Sequence, residues 1–363
     1  MIGLIINPLA GMGARLATRG SDRFKDINDA RAQGARATAE AAAMRALRRL
    51  PACRILTGGG GMGLEAARDS GFQVEALMTA GPVSTAHDTR RLAARLLERG
   101  VPLILFAGGD GTARDIFAVV GDRIPMIGIP AGVKMHSAVF ALTPEKAGEV
   151  VGRALGGSFA IRPAEIMDAD EAALAEGRPS ARLFGYAATP DLPLLLQAAK
   201  AARADGGGAG MVALGRAIAR TATPDELMLL GPGTTMQAIK RGFGIDGSLM
   251  GVDAIRGRHQ LAADATADAL EALCTTAASV SLHVGVIGNQ GFVFGRGNRQ
   301  ISPAVIRAVG RNRIHIVATR EKLAALRRLH ADTGEPTLDA ELAGFHRVLT
   351  GPAETMVIRL GDG

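Results

Sequence analysis

The chain has 363 residues with 42 Lys+Arg against 35 Asp+Glu, a formal charge of +7, and it is 47% hydrophobic but only 3% aromatic, with no Trp and a single Tyr. That length exceeds what one hydrophobic core usually serves, so two domains are expected. The two cysteines, Cys53 and Cys274, are too few and too far apart for a disulfide framework or a zinc cluster, no apolar run reaches the ~18 residues of a membrane span, and basic residues without interleaved aromatics argue against single-stranded nucleic acid as a partner. What remains is a cytoplasmic protein, without a membrane or nucleic-acid partner, acting on small anionic molecules.

In chain order, Ile2-Gly3-Leu4-Ile5-Ile6 reads as a first strand halted by Asn7-Pro8, and not as a signal peptide, since no basic region precedes it. Strands are expected at 53–57, 73–79, 102–107 and 125–129, with helices at 36–49 and 86–99. Thr85 or Asp88 can cap the second helix, and Thr143-Pro144-Glu145 opens a third. Strands alternating with helices signify βαβ units and a parallel sheet. After about residue 155 the rhythm changes. Strands at 159–163 and 181–186 have no helix following at once. Helices are expected at 192–203, 209–221, 234–241 and 265–277, a strand at 227–230, and a strand pair 279–288 and 291–296 closing on Asn289-Gln290. A helix-strand-helix over 303–328 and a terminal strand at 354–360 complete the chain, and the glycine-rich stretch 205–210 reads as a loop. The expected fold class is α/β: an N-terminal Rossmann-like parallel-sheet domain over 1–150 and a C-terminal β-rich α+β domain over 151–345. The segment 346–363 is a terminal strand that can return to the first domain.

The sharpest chemical signal is Gly108-Gly109-Asp110-Gly111-Thr112, between the apolar run Leu103-Ile104-Leu105-Phe106-Ala107 and a helical pattern. A strand running through glycines into a helix turns successive backbone N–H groups and the helix N-terminus toward whatever binds at the strand end, which is a cradle for phosphate. Asp110 there can accept a proton from an attacking hydroxyl or help to hold Mg²⁺; the plainer alternative is that it only caps the helix. Lys134 and His136, in a loop after the next strand, offer a cation and an imidazole to the same crevice, with Ser137 beside them. In the second half, Gly231-Pro232-Gly233-Thr234-Thr235 repeats the strand, glycine turn, hydroxyl and helix layout, with Thr234 placed as N-cap or as a phosphate or ribose contact. Asp253 at a strand end can take a ribose hydroxyl. Asn289, Gln290, Arg296 and Asn298 gather amides and a guanidinium suited to an anionic substrate. No protein metal ligand is assigned. A competing motif, G-x-G-x-x-G within Gly58-Gly59-Gly60-Gly61-Met62-Gly63, suggests a dehydrogenase dinucleotide turn, but it opens the second βα unit and not the first.

At Gly108–Thr112 the sequence resembles the superfamily of ATP-NAD kinases, diacylglycerol and sphingosine kinases and phosphofructokinases. Asn7-Pro8-Leu9-Ala10-Gly11-Met12-Gly13 resembles the Asn-Pro-x-[Ser/Ala]-Gly-x-Gly loop of the same group. The segments Gly128–Ser137 and Gly295–Pro303 look like the AcoX-type branch of the ATP-NAD kinase family, and the likeness spans essentially the whole chain. The resemblance implies transfer of the ATP γ-phosphate to the adenosine 2′-hydroxyl of NAD, with ATP, Mg²⁺ and NAD as cofactor and substrates. It makes Asp110 the catalytic carboxylate, places Gly108, Gly109, Gly111 and Thr112 on phosphates with Asn7, Gly11 and Gly13 beside them, and leads us to expect a homo-oligomer, dimer or tetramer. In one respect the chain departs from the family pattern. Typical NAD kinases carry a downstream Asn-Glu pair for the NAD ribose, where this chain has Lys134, His136 and Ser137. Two alternatives follow: a nucleotide-binding regulator without catalysis, and a lipid kinase of the diacylglycerol type.

Overall fold

The computed structural model describes residues 1–11, 38–79, 84–131, 135–157, 159–169, 181–192, 208–257, 259–287 and 291–361. The chain divides into two compact units, of which the second takes up the main chain from Ala201.

The first unit is built on strands β1 (Ile2–Ile6), β2 (Arg54–Gly58), β3 (Gln73–Met78), β4 (Ile104–Gly108) and β5 (Met126–Pro130). They form an all-parallel five-stranded sheet in the order β3-β2-β1-β4-β5. Its helices are α1 (Ala39–Leu47), α2 (Leu64–Asp69), α3 (Ala86–Glu98), α4 (Asp110–Val120) and α5 (Pro144–Leu155). Both faces of the central strand are buried, which is why β1 reads as a continuous apolar run without alternation. Ile2, Leu4 and Ile6 meet α1, α2 and α5 on one face, while Ile5 meets α3 and α4 on the other. The small residues Ala39, Ala42, Ala43 and Ala46 line the buried side of α1 against Ala147, Val150 and Val151 of α5, so these helices lie close to each other and to the sheet. Leu92 and Leu96 of α3 are wholly buried, each a gain of about 1.5–3 kcal/mol. The two capping candidates of this helix act together: Thr85 accepts from Asp88 N–H, and the Asp88 side chain accepts from Thr85 N–H in return, a device whose N-cap member alone contributes about 1 kcal/mol. Thr143 caps α5 with Pro144 in its first turn, as expected.

Chain direction in this sheet sets where ligands can sit. From β1 the chain steps outward through β2 to β3, then returns across the sheet to add β4 and β5 on the other side. The helices change face at that return, so the order reverses between β1 and β4, and the crevice beyond their carboxyl ends is the expected binding place in an open α/β sheet. An antiparallel ribbon of β6 (Ile161–Ala169) and β7 (Ala181–Pro190) follows. It groups with the first unit, although the rhythm of the sequence sets it beyond residue 150, because Ala164, Ile166 and Ala187 join the core over α4.

The second unit contains α6 (Gly208–Thr221), β8 (Leu227–Leu230), α7 (Thr234–Phe243), β9 (Asp253–Arg256), β10 (His259–Ala262), α8 (Ala267–Thr276), β11 (Val280–Gly285), β12 (Phe292–Phe294), α9 (Pro303–Val309), β13 (Ile314–Val317), α10 (Arg320–Ala324), β14 (His330–Ala331), α11 (Pro336–Leu342), β15 (Gly344–Gly351) and β16 (Glu354–Leu360). Its seven-stranded sheet runs β10-β9-β8-β11-β13-β15-β16, with β8, β11, β13 and β15 parallel and the outer pairings antiparallel. The fold class read from the sequence therefore holds: a Rossmann-like parallel-sheet domain and a strand-rich second one. The expected pairing of 279–288 with 291–296 is corrected. All six residues of β11 are buried between two parallel neighbours, leaving that strand no edge for a hairpin partner. β12 pairs with β14 instead, and among the described residues Ile287 and Phe292 form an isolated antiparallel bridge. The terminal strand pairs with β15 inside the second sheet. Of the glycine-rich stretch, Gly208–Gly210 already belongs to α6, and most of the helix expected at 192–203 lies outside the described residues, as do Asn289 and Gln290. Among the described residues no helix is long and apolar enough to cross a membrane.

Candidate active site at the sheet switch point

β4 ends at Gly108 and α4 begins at Asp110, with Gly109 as an extended N-cap that brings no side-chain cap. Asp110 is thus inside the first helical turn, and the plain capping role is not the one it plays. A Cβ on Gly108 would stand 2.4 Å from Thr112 Oγ1 and 2.5 Å from its Cβ; glycine there lets the Thr112 side chain lie against the strand end. Gly111 has nothing within 4 Å of where its Cβ would be, so it lies open to approach from outside.

Asn7 spans the switch point. Its Oδ1 accepts Leu9 N–H at 3.1 Å, which settles the orientation of the amide, and its Nδ2 donates to Thr112 Oγ1 at 3.1 Å. Having accepted from Asn7, the Thr112 hydroxyl points its own hydrogen elsewhere, and among the described residues no acceptor for it is present. An oxygen of a bound phosphate is the fitting partner. The loop after β1 closes at Gly11, whose φ of +81° and close neighbours, Thr38 Oγ1 and Ala131 O at 2.1 and 2.6 Å from a Cβ, exclude any side chain. Thr38 Oγ1 in turn donates to Ala131 O at the end of β5.

Asp110 is only 7% exposed, and among the described residues its carboxylate accepts three hydrogen bonds from one short segment. His136 N–H donates to Oδ2 at 2.7 Å, Ser137 N–H to Oδ1 at 2.9 Å, and the Ser137 hydroxyl to Oδ1 at 2.6 Å. Donors of this kind favour the ionised, accepting form of the acid. Four segments therefore converge in space: Asn7 and Gly11 after β1, Gly108 to Thr112 after β4, Ala131 after β5, and the backbone of His136. Gly13 and Lys134 lie outside the described residues. Ser137 is brought to the site but not to a ligand: it is 0% exposed, and its hydroxyl is committed to Asp110. Contributions that no sequence signal announced are Thr38, the Met167 N–H that reaches Ser137 Oγ at 2.9 Å, and the ion pair of Arg90 with buried Asp115 at 2.6 Å on the flank of α4. They act across long sequence separations or through the backbone, where residue type gives no hint.

The competing glycine run folds inward. β2 ends at Gly58, residues Gly60–Met62 make a 3-10 turn, and the buried Thr57 hydroxyl donates to Leu4 O or Met62 O, at 2.9 and 3.1 Å. A Cβ on Gly63 would fall 2.2 Å from that hydroxyl, so this glycine serves the packing of the turn, and the turn follows β2 and not the strands at the switch point.

Within the second unit the expected ligand residues are mostly structural. Asp253 is 0% exposed and ion-paired at 2.9 Å with Lys240, also 0% exposed; it further accepts Ser248 N–H and Asp264 N–H, so it cannot face a ribose. Burial lowers the Lys240 pKa, opposed by the charge of Asp253. Asn298 is fully buried, donating to Val293 O and accepting Gly295 N–H, which removes it as a ligand contact. Arg296 is buried with its guanidinium 4.5 Å above the Phe292 ring. Gly233, with φ +106°, and not Thr234, is the N-cap of α7; Gly233 and Thr234 are exposed and Thr235 half-buried in the first turn. Among the described residues no group of three or more His, Cys, Asp or Glu could hold a metal.

A parallel sheet whose switch point presents a glycine–aspartate turn and an uncapped helix N-terminus, joined to a strand-rich second unit, defines a phosphate-handling α/β protein. Residues 2–159 match the ATP-NAD kinase N-terminal domain and residues 224–360 the ATP-NAD kinase C-terminal domain. The chain belongs to the ATP-NAD kinase family. Among solved structures, one from Bacillus anthracis str. Sterne, provisionally assigned as a diacylglycerol kinase, shows 14% identity and a TM-score of 0.22, over 48% of this chain and 58% of that one. No curated protein matches the sequence.

Proposed function

We propose that this protein is a kinase that transfers the γ-phosphate of ATP to the adenosine 2′-hydroxyl of NAD or to the hydroxyl of a related metabolite, and that it stands on the AcoX-type branch of its family. The observation that carries this reading is the Asp110 carboxylate, held by three donors beside the uncapped start of α4. In the transfer, the acceptor oxygen bonds to the γ-phosphorus, the bond from that phosphorus to the β,γ-bridging oxygen breaks, ADP leaves, and the hydroxyl proton passes to Asp110 and on to solvent. The N–H groups of Gly111 and Thr112 and the Thr112 hydroxyl face the phosphate charge from a fixed position, so little reorganisation is needed as charge moves toward ADP. With one carboxylate at the crevice and no cluster of metal ligands among the described residues, the donor set fits a Mg²⁺ that arrives on the ATP phosphates, where it would neutralise developing charge. A cytoplasmic, homo-oligomeric protein binding small nucleotides, without membrane or nucleic-acid partners, completes the proposal.

The test is a coupled assay of purified protein with ATP, Mg²⁺ and NAD, reading NADP. Asp110→Asn, which keeps the shape and removes the base, is expected to lower kcat by 10²-fold or more, in line with the usual contribution of a positioned proton acceptor. Binding of ATP without any product from the unmodified protein would favour a nucleotide-binding regulator, the reading motivated by Lys134-Met135-His136-Ser137 standing where the family carries its Asn-Glu pair.

A further inference from the structure

We infer that Ser137 is a positioning residue, whose buried hydroxyl sets the orientation of the Asp110 carboxylate by tying it to strand β6; the inference rests on the proposed phosphotransfer at Asp110. Ser137 lies in the chain between β5 and α5, is 0% exposed, and meets Asp110 Oδ1 twice, through its N–H at 2.9 Å and its hydroxyl at 2.6 Å. The hydroxyl has one hydrogen, and at 2.6 Å that hydrogen belongs to the carboxylate, the Met167 carbonyl being 3.5 Å away. Its lone pair then takes Met167 N–H at 2.9 Å. The result is a directed relay, Met167 N–H to Ser137 Oγ–H to Asp110 Oδ1.

The ribbon is built to supply this. Its register shifts between Ile166 and Met167, an irregularity of the kind that re-aims groups near active sites. One residue on, Ala138 N–H donates to Glu165 O at 2.8 Å, so the segment after β5 is laced to β6 both at Ser137 and at the residue that follows it. An Asp side chain in the first turn of a helix has several rotamers open to it; two bonds from Ser137 to the same oxygen, together with His136 N–H on the other, select one. A serine buried only for packing would need no acid partner, and a ligand-binding serine would not be shut from solvent.

The experiment measures kcat, KM for ATP and NAD, and the pH dependence of kcat for unmodified protein, Ser137→Ala, Ser137→Thr and Asp110→Asn, with a thermal unfolding curve for each. The expected result for Ser137→Ala is a kcat lowered roughly ten- to a hundredfold with KM values within about twofold, and an acid limb of the pH profile moved to higher pH, because a carboxylate that loses a donor keeps its proton longer. Ser137→Thr, which retains the hydroxyl, recovers part of the loss. A Ser137→Ala enzyme with unchanged kcat and pH profile, alongside an inactive Asp110→Asn, overturns the positioning role while leaving the kinase reading intact; an active Asp110→Asn overturns the role of Asp110 as proton acceptor and the inference with it, and an unmodified protein that binds ATP without forming product overturns the kinase reading. Equal loss in Ser137→Ala and Ser137→Thr in step with a lowered unfolding temperature would make the serine a packing residue and also overturn the inference.

Discussion

Lowering the pH should weaken the second unit through one histidine. His283 on β11 is buried, its ring stacked at 4.7 Å on His315 of β13, and its Nδ1 has no hydrogen-bond partner among the described residues. Burial, with a smaller contribution from the charge of His315, lowers its pKa from 6.5 to about 3. In the unfolded chain the ring takes up a proton near pH 6.5, while in the folded protein it stays neutral down to about pH 3, so the unfolded state binds more protons in this window and stability falls as the pH is lowered. At 1.36 kcal/mol for each pH unit below the unfolded value, the fall from pH 7 to pH 5 is about 2 kcal/mol, which for a unit of this size lowers the unfolding temperature by roughly 4–8 °C. The assay is calorimetry of the unmodified protein and of His283→Leu across that range. The variant loses the titrating group without burying a new polar one, and its unfolding temperature should depend on pH less steeply by that amount. Equal slopes would refute the reasoning and move the acid sensitivity to other groups.

Two further outcomes follow from the same geometry. Gly108→Ala places a methyl group 2.4 Å from Thr112 Oγ1; the start of α4 must shift, at about 1–3 kcal/mol as for other overpacked sites, and kcat/KM with ATP should fall more than the unfolding temperature alone accounts for, as read by parallel kinetics and calorimetry. Lys240→Met leaves Asp253 buried without its cation, a loss of about 3–5 kcal/mol visible in chemical denaturation of the second unit, with ATP affinity measured by titration calorimetry unchanged.

The first sheet was legible because β1, β2, β4 and β5 are buried on both faces and separated by amphipathic helices, so they stand out as apolar runs with glycine, proline or Asn-Pro stops, while the edge strand β3 shows in its β-branched and Leu-Met content. The strand-to-helix turn was equally plain: in Gly108-Gly109-Asp110-Gly111-Thr112 the close approach of Thr112 to Gly108 is a local reason for glycine, and local reasons are written in neighbouring residues. What pairs with what was not. β11 and the segment after it look like a hairpin in sequence, since alternation and a short Asn-Gln-Gly turn are all a hairpin requires, yet the parallel neighbours β8 and β13 come from about fifty residues before it and thirty after. The same limit hid the role of Asp253 and Ser137. Asp253 opens β9 and Ser137 lies in the segment between β5 and α5, both places where a polar residue usually signals a ligand contact, and only burial reveals that Lys240 and Asp110 are their partners.

The position of β1 in the sheet has a consequence for how the protein is made. Within this sheet the strand synthesised earliest is the central one, and Gly3 finds its neighbour Ile104 only after a hundred more residues have been added. Until then one edge of an entirely apolar strand has no mate, and the crevice that will hold Asn7 against Thr112 does not exist. Contacts this distant in sequence make folding slow and leave adhesive edges exposed. The nascent chain is therefore most vulnerable to misassociation between the synthesis of β3 and that of β4, and its capacity to bind a nucleotide arrives all at once, when the sheet closes.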